Sequence, residues 1–425
     1  MTIGDLFIYK YASEIYHAYV NIICKARYNR IQKRLIKKVR SNGRINVCFL
    51  VNEISKWKAQ SIYELLDKDC HFEPFIGLTF ADLDWNLTSQ ERSIKRQSLA
   101  LYFKEKNMCV REICTETEPD QFDIYRLDAD IVFYQQPWNI HPSLRPEKLS
   151  KHALLCYFPY YVPNYSLITN DCKQEFHYKL WKYFQLCNGW VDALKEATAS
   201  KVKAVDIIAT GHPMLDCINN TKVNKPNKKI VIYSPHWSVY SDVFNNEERY
   251  STFQHNGKEI LEYAKQHTEI DWYFKPHPTL KTSLLRTKLM TQDEIEEYYS
   301  EWKKLGNVVE GGDYIDLFWK SSAMITDCGS FLVEYPCTGK PLLHLISSAC
   351  RVSVPKPSKE LFDSFYKIHN LEEMYKCFDM VLCNGEDPLY ETRMESVRKA
   401  GINETHASEN IVNHLRVCLS ISNYG

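Results

Sequence analysis

Residues 325–341 read ITDCGSFLVEYPCTGKP, and PLLHLI follows from Pro341. An apolar run ends in a carboxylate, then come Cys-Gly-Ser, an apolar segment at helical spacing, and Gly-Lys-Pro. That order predicts a strand, a turn, a helix and a second parallel strand. The alternation extends upstream. KIVIYSPHWS (229–238) and IDWYFKPHPTL (270–280) read as strands with loops, and AMITD (323–327) as a strand. NGKEILEYAKQH (256–267), QDEIEEYYSEWKKLG (292–306) and DYIDLFWKSS (313–322) read as helices. More helices follow residue 355.

The first half repeats the pattern. RINVCFLV (44–51) and FEPFIGL (72–78) read as strands around a helix at 55–69, and a second helix follows at 90–107. ADIVFYQQPW (129–138) and KHALLCYFPYYVP (151–163) read as strands ending in aromatic loops. Residues 172–188 read as a helix, 204–216 as a strand entering a turn, and the polar stretch 217–229 as a linker. We therefore expect an α/β protein of two doubly wound Rossmann-like domains facing a cleft, with C-terminal helices. The boundaries expected are a basic amphipathic helical segment at 1–43, an acceptor domain at 44–217, a nucleotide-donor domain at 228–375, and helices at 376–425.

Composition narrows the function. The chain has 425 residues, with 53 Lys+Arg against 53 Asp+Glu. Zero net charge argues against nucleic-acid binding. The 15 cysteines form no C-x-x-C pair, which suits a reducing cytosol. Four sequons, at Asn86, Asn164, Asn219 and Asn403, are expected to be chance matches. No apolar run reaches about 18 residues, so no membrane span is expected. Residues 25–44 hold Lys and Arg and no acid. That block suits an anionic membrane surface, or a solvated helix capping the first domain.

Three predicted strand ends carry chemistry. YSPHWS holds Ser234 and His236. FKPHPTL holds Lys275, His277 and Pro278, and prolines on both sides restrict that loop. The third holds Thr326, Asp327, Gly329, Ser330 and, one turn on, Glu334. A helix starting at Gly329-Ser330 would present backbone N–H groups, with Ser330 as its cap, to a phosphate or diphosphate. Glu334 could accept from a ribose hydroxyl. Read singly, each could be a helix cap, a satisfied loop histidine or a solvated carboxylate, and TGKP a C-cap. In the first half, Gly211 and His212 sit in TGHPMLD, Ser55 and Lys56 follow the first strand, and Tyr160 lies in an aromatic loop; these last three are the acceptor-binding candidates. No G-x-G-x-x-G, H-E-x-x-H or G-x-S-x-G occurs, and neither a metal nor a tightly bound cofactor is expected.

The series TGHPMLD, YSPHW, FKPHP and ITDCGSFLVEYPCTGKPLL, over about residues 205–345, resembles the CDP-glycerol glycerophosphotransferase family. There the pattern is a Gly-x-Pro-Arg turn, a Tyr-x-Pro-Thr-Trp loop, a Lys-x-His-Pro loop and a Thr-Asp-x-Ser-Ser element leading to Gly-Lys-Pro. The resemblance implies a GT-B architecture and a bacterial transferase. It would move a glycerophosphate or glycosyl group from a CDP- or UDP-linked donor to a lipid-linked or polymeric glycan of teichoic-acid or capsule type. It implies a cytoplasmic enzyme at the inner membrane face, with His277 and His236 as catalytic candidates. Ser234, Lys275, Pro278, Thr326, Asp327, Gly329, Ser330, Glu334, Gly211 and His212 would serve the donor. The sequence departs from the pattern. Met214 stands for Arg, His236 for Thr, and CYFPYYVPN replaces the N-terminal Trp-His-Gly-Thr motif. A nucleotide-sugar epimerase, or an inert scaffold of the same architecture, is the alternative.

Overall fold

The structure, a computed structural model, describes residues 3–80, 84, 86–113, 127–163, 175–198, 205–224, 226–244, 249–310, 314–350, 353–403 and 405–422. The chain divides into two compact units. The first comprises residues 1–161, 167–216 and 406–425; the second comprises 162–166 and 217–405.

The first unit is built on seven parallel strands: β1 (Ile45–Val51), β2 (Phe72–Leu78), β3 (Val110–Glu112), β4 (Ile131–Tyr134), β5 (Leu154–Tyr157), β6 (Lys182–Gln185) and β7 (Asp206–Ala209). Their order is β3-β2-β1-β4-β5-β6-β7. β4 and β5 are buried throughout, as expected of central strands covered on both faces. The chain winds outward from β1, returns to β4 beside it, and winds outward the other way. The order therefore reverses between β1 and β4. Thr88 and Glu91 close a capping box that starts the helix Ser89–Glu105.

Two sequence expectations change here. Residues 172–188 do not form one helix: a single turn, Glu175–Tyr178, is followed by β6, while 172–174 lie outside the described residues. The stretch WKYF, three aromatics around Lys182, reads equally as helix or buried strand, and pairing with β5 and β7 decides it. The polar stretch from 217 begins inside the helix Pro213–Asn220 rather than as linker.

The last helix, Ala407–Cys418, belongs to the first unit. Arg416 forms a buried ion pair with Asp69, and Asp216 accepts the backbone N–H groups of Ala407 (2.8 Å) and Ser408 (2.7 Å) at that helix's start. Gly211, at φ +85°, passes so close that an added Cβ would lie 2.8 Å from the Ala407 Cβ. Only glycine fits both constraints.

The second unit has six parallel strands: β8 (Ile230–Ser234), β9 (Asp271–Phe274), β10 (Asn307–Val308), β11 (Ala323–Thr326), β12 (Leu342–Leu345) and β13 (Tyr366–Ile368). Their order is β10-β9-β8-β11-β12-β13, so the reversal falls between β8 and β11. One face packs Trp272 and Phe274 of β9 against Trp302 and Phe378. Phe274 stacks on Trp302 at 5.0 Å and Trp272 on Phe378 at 5.5 Å. Burying rings of this size contributes about 2–3 kcal/mol each.

Candidate functional site in the second unit

In a doubly wound sheet, ligands gather at the carboxyl ends of the strands flanking the order reversal. Here those ends are Ser234 of β8 and Thr326 of β11, with β9 beside β8. Hydrogen bonds lace the three together. The Ser234 hydroxyl donates to the Lys275 carbonyl (2.6 Å). The Thr326 hydroxyl donates to the Ser234 carbonyl (2.6 Å) and accepts the Cys328 N–H (2.9 Å). The His277 N–H donates to the Pro235 carbonyl (3.1 Å).

Asp327 is 2% exposed and binds two loops. One oxygen accepts the His236 N–H (2.6 Å), the other the Thr252 N–H (2.6 Å) and hydroxyl (2.9 Å). Burial pushes its carboxyl up to about 6, while these hydrogen bonds pull the other way. Both oxygens are thus occupied in positioning His236 and the loop at 250–252.

His236 and His277 come together, their ring centroids 5.4 Å apart. In both, Nδ1 is closed from within the chain. His236 Nδ1 lies 2.7 Å from the Ser238 hydroxyl and accepts the Ser238 N–H at 3.3 Å. That hydroxyl itself accepts the N–H groups of Tyr250 and Ser251, which leaves its hydrogen for His236. His277 Nδ1 accepts the Thr279 N–H (3.2 Å) and faces its hydroxyl (2.9 Å). A neutral imidazole whose Nδ1 accepts carries its proton on Nε2. This tautomer is assigned from the hydrogen bonds. Burial, with Lys275 nearby, holds His277 down to about 4; burial, with His277 nearby, holds His236 well below its usual range. Neither Nε2 has a hydrogen-bond partner among the described residues. Near neutral pH the pair offers two N–H donors. This tautomer suits gripping an anion, and it cannot take a proton at Nε2.

The other candidates divide. Lys275 is buried, its ammonium 4.8 Å from the Tyr314 ring and 5.7 Å from that of Phe331. Tyr314 donates to the buried Glu334 carboxylate at 2.7 Å, so that acceptor is already engaged. Pro278 is exposed and Gly329 buried. Ser330 departs from expectation: it has helical angles and its side chain caps nothing. The helix it precedes, Phe331–Glu334, is one turn long. Pro336 lacks an N–H, so the chain tightens into a 3-10 turn, Tyr335–Thr338, that ends at Gly339 with φ +72°. So short a helix has little dipole to offer an anion. Lys340 of Gly-Lys-Pro donates to the Phe318 and Trp319 carbonyls, closing the helix Ile315–Lys320, and Arg393 holds the Gly339 carbonyl. That element is structural.

Gly211 and His212 sit in the first unit. His212 Nε2 lies 2.8 Å from the Pro159 carbonyl and its Nδ1 accepts the Met214 N–H, so both nitrogens are spent; burial holds it down to about 4. Ser55 donates to Glu53. Lys56 pairs with Glu53 (2.6 Å) and Gln136 (2.7 Å), 5.6 Å from the Tyr160 ring, so Lys56 and Tyr160 do meet beyond β1 and β4. The residues that sequence reading missed are Ser238, Thr252 and Thr279. The signal for two of them was present: His-Trp-Ser and His-Pro-Thr both place a hydroxyl two residues after the histidine.

Two parallel-sheet Rossmann-like units define the fold class as GT-B. Solved structures of similar fold include the following three. A UDP-N-acetylglucosamine 2-epimerase from Neisseria meningitidis, bound to UDP-GlcNAc, is 14% identical, covering 88% of this chain and 99% of its own at a TM-score of 0.56. A structure titled a putative epimerase of that type, from Listeria monocytogenes, is 13% identical over 90% and 98%, also at 0.56. S. aureus MnaA with UDP is 14% identical over 90% and 100%, at 0.53. Likeness at this identity establishes fold alone. No protein-family model matches the chain. No curated protein matches it either.

Proposed function

We propose that this protein is an enzyme acting on a nucleoside-diphosphate-linked sugar, with the diphosphate held by the second unit. The observation that carries this reading is the pair of neutral imidazoles, His236 and His277, whose Nε2–H donors have no partner among the described residues, on the loops after β8 and β9 beside the reversal of strand order. Two such donors match the oxygens of a diphosphate. As the sugar leaves, negative charge grows on the departing phosphate, and donors already in place stabilise that state more than the ground state. UDP and UDP-GlcNAc in the structures of similar fold make a UDP-linked donor the first to test. In glycosyl transfer, a hydroxyl of a lipid-linked or polymeric acceptor attacks the anomeric carbon and the nucleoside diphosphate leaves. Lys56 and Tyr160 are the acceptor-side candidates.

A second reading is glycerophosphate transfer from CDP-glycerol, favoured by the Lys-x-His-Pro loop and its neighbours in order. There attack falls on phosphorus and CMP leaves. A thermal-shift panel of UDP-, CDP-, GDP- and CMP-linked compounds, followed by product analysis, separates these. A nucleoside diphosphate released with acceptor present supports glycosyl transfer. Conversion of the soluble donor alone supports epimerisation, and CMP from CDP-glycerol supports the second reading. A chain that binds none of them is a scaffold, and the proposal falls.

A further inference from the structure

The helix Ile3–Arg40 meets the first unit along one line of side chains. Cys24, Tyr28, Ile31 and Leu35 are buried, the Tyr28 hydroxyl donates to the Lys179 carbonyl, and Lys38 pairs with Asp130 at 2.6 Å. At three- and four-residue steps, a different line runs along the opposite side: Ile15, Tyr19, Ile22, Ala26, Arg30, Lys33, Lys37, Arg40. All eight are exposed. Ile15 is 63% exposed, Tyr19 62% and Ile22 70%, unusual for side chains of that size. The four cations make no ion pair among the described residues, and residues 15–43 hold no acid.

We propose that this stripe lies on an anionic lipid surface, its aliphatic and aromatic end among the acyl boundary and its basic end on the headgroups. The helix carries the two features such a surface selects, side by side in a straight line about 38 Å long. No helix among the described residues is long and apolar enough to cross a membrane, so the contact is peripheral. A second copy of the chain fits less well. The apolar part is one residue wide, well short of the about 800 Å² per partner that a stable dimer buries. The inference does not depend on which donor the second unit takes.

The test is co-sedimentation of the full chain with vesicles of phosphatidylcholine alone, or with a third phosphatidylglycerol. Binding is expected only to the anionic vesicles, weakening as salt rises. A lysine near such a surface is worth about fivefold in partitioning, so K33E/K37E should lower it by about 25-fold or more. I15D/I22D should lower it as well. Both pairs are exposed, so unchanged melting confirms that the variants fold. Equal binding to both vesicle types, or binding unaffected by either variant, overturns the proposal. So does absence of vesicle binding together with a dimer in light scattering that I15D/I22D dissolves, which would assign the stripe to a second copy.

Discussion

The imidazoles of His236 and His277 lie 5.4 Å apart, and each has its Nδ1 closed by the residue two positions further on. Chain geometry thus sets both tautomers before any ligand arrives. His277→Ala should lower turnover by about 10² or more, since it removes a preplaced donor. His277→Gln, which keeps an N–H near the Nε2 position, should recover part of that. Steady-state kinetics with the donor found by the panel decides it, and near-normal turnover in His277→Ala ends the assignment.

Donor affinity should be flat between about pH 6.5 and 8.5, because both rings stay neutral N–H donors there. If imidazolium were required, affinity would fall about tenfold for each pH unit above the group's pKa. Calorimetric titration across that range distinguishes the two.

Folding stability should drop as pH falls from 7 to 5. His212 and His277 are held down to about 4 and His344 to about 3, from an ordinary 6.5. Below about pH 6.5 the unfolded chain therefore binds protons that the folded chain refuses, and stability is lost. Asp327, raised from 3.8 to about 6, acts in the opposite sense over about pH 4–6. Three histidines outweigh one carboxyl. The net loss at pH 5 should be roughly 2–4 kcal/mol, read from denaturant unfolding at the two pH values; constant stability would refute the burial argument.

Asp327→Asn replaces one acceptor oxygen by an NH2 group facing the donors of Thr252 or His236. A cost of about 2–4 kcal/mol is expected, with loss of donor binding because the His236 loop comes free. Thr252→Val should show a milder form of both. Full donor affinity in Asp327→Asn would show that the carboxylate does not position His236.

Arg416→Met leaves one oxygen of the buried Asp69 unpaired, the other still held by the His71 N–H (3.0 Å) and ring (2.8 Å), at about 1–3 kcal/mol. Gly211→Ala forces a Cβ onto Ala407 and strains a positive φ, at about 1–3 kcal/mol. Both should loosen the helix Ala407–Cys418 from the first unit. Hydrogen exchange should then accelerate in that helix and leave β8–β11 unchanged.

Much of the fold was legible because its signals are local. β1, β2 and β8 fall within a residue or two of their apolar runs, and the helices expected at 90–107 and 292–306 run Ser89–Glu105 and Gln292–Leu305. KYFQ was not legible, since so short a stretch, two aromatics between Lys182 and Gln185, fits helix and strand alike until neighbours pair with it. The Ser330 cap failed for a related reason. Cys-Gly-Ser looks like a helix start, but Pro336 and Gly339 allow the helix a single turn.

The sequence by itself determined the alternation of strands and helices, hence two parallel sheets, and marked His236, His277 and Asp327 as strand-end residues. Only the tertiary structure decided their relation. It put Asp327 under the His236 backbone, spent His212 on Pro159, and closed Nδ1 of both paired rings. Periodicity is a property of neighbours along the chain. A proton's position on an imidazole depends on what the fold brings to its other nitrogen.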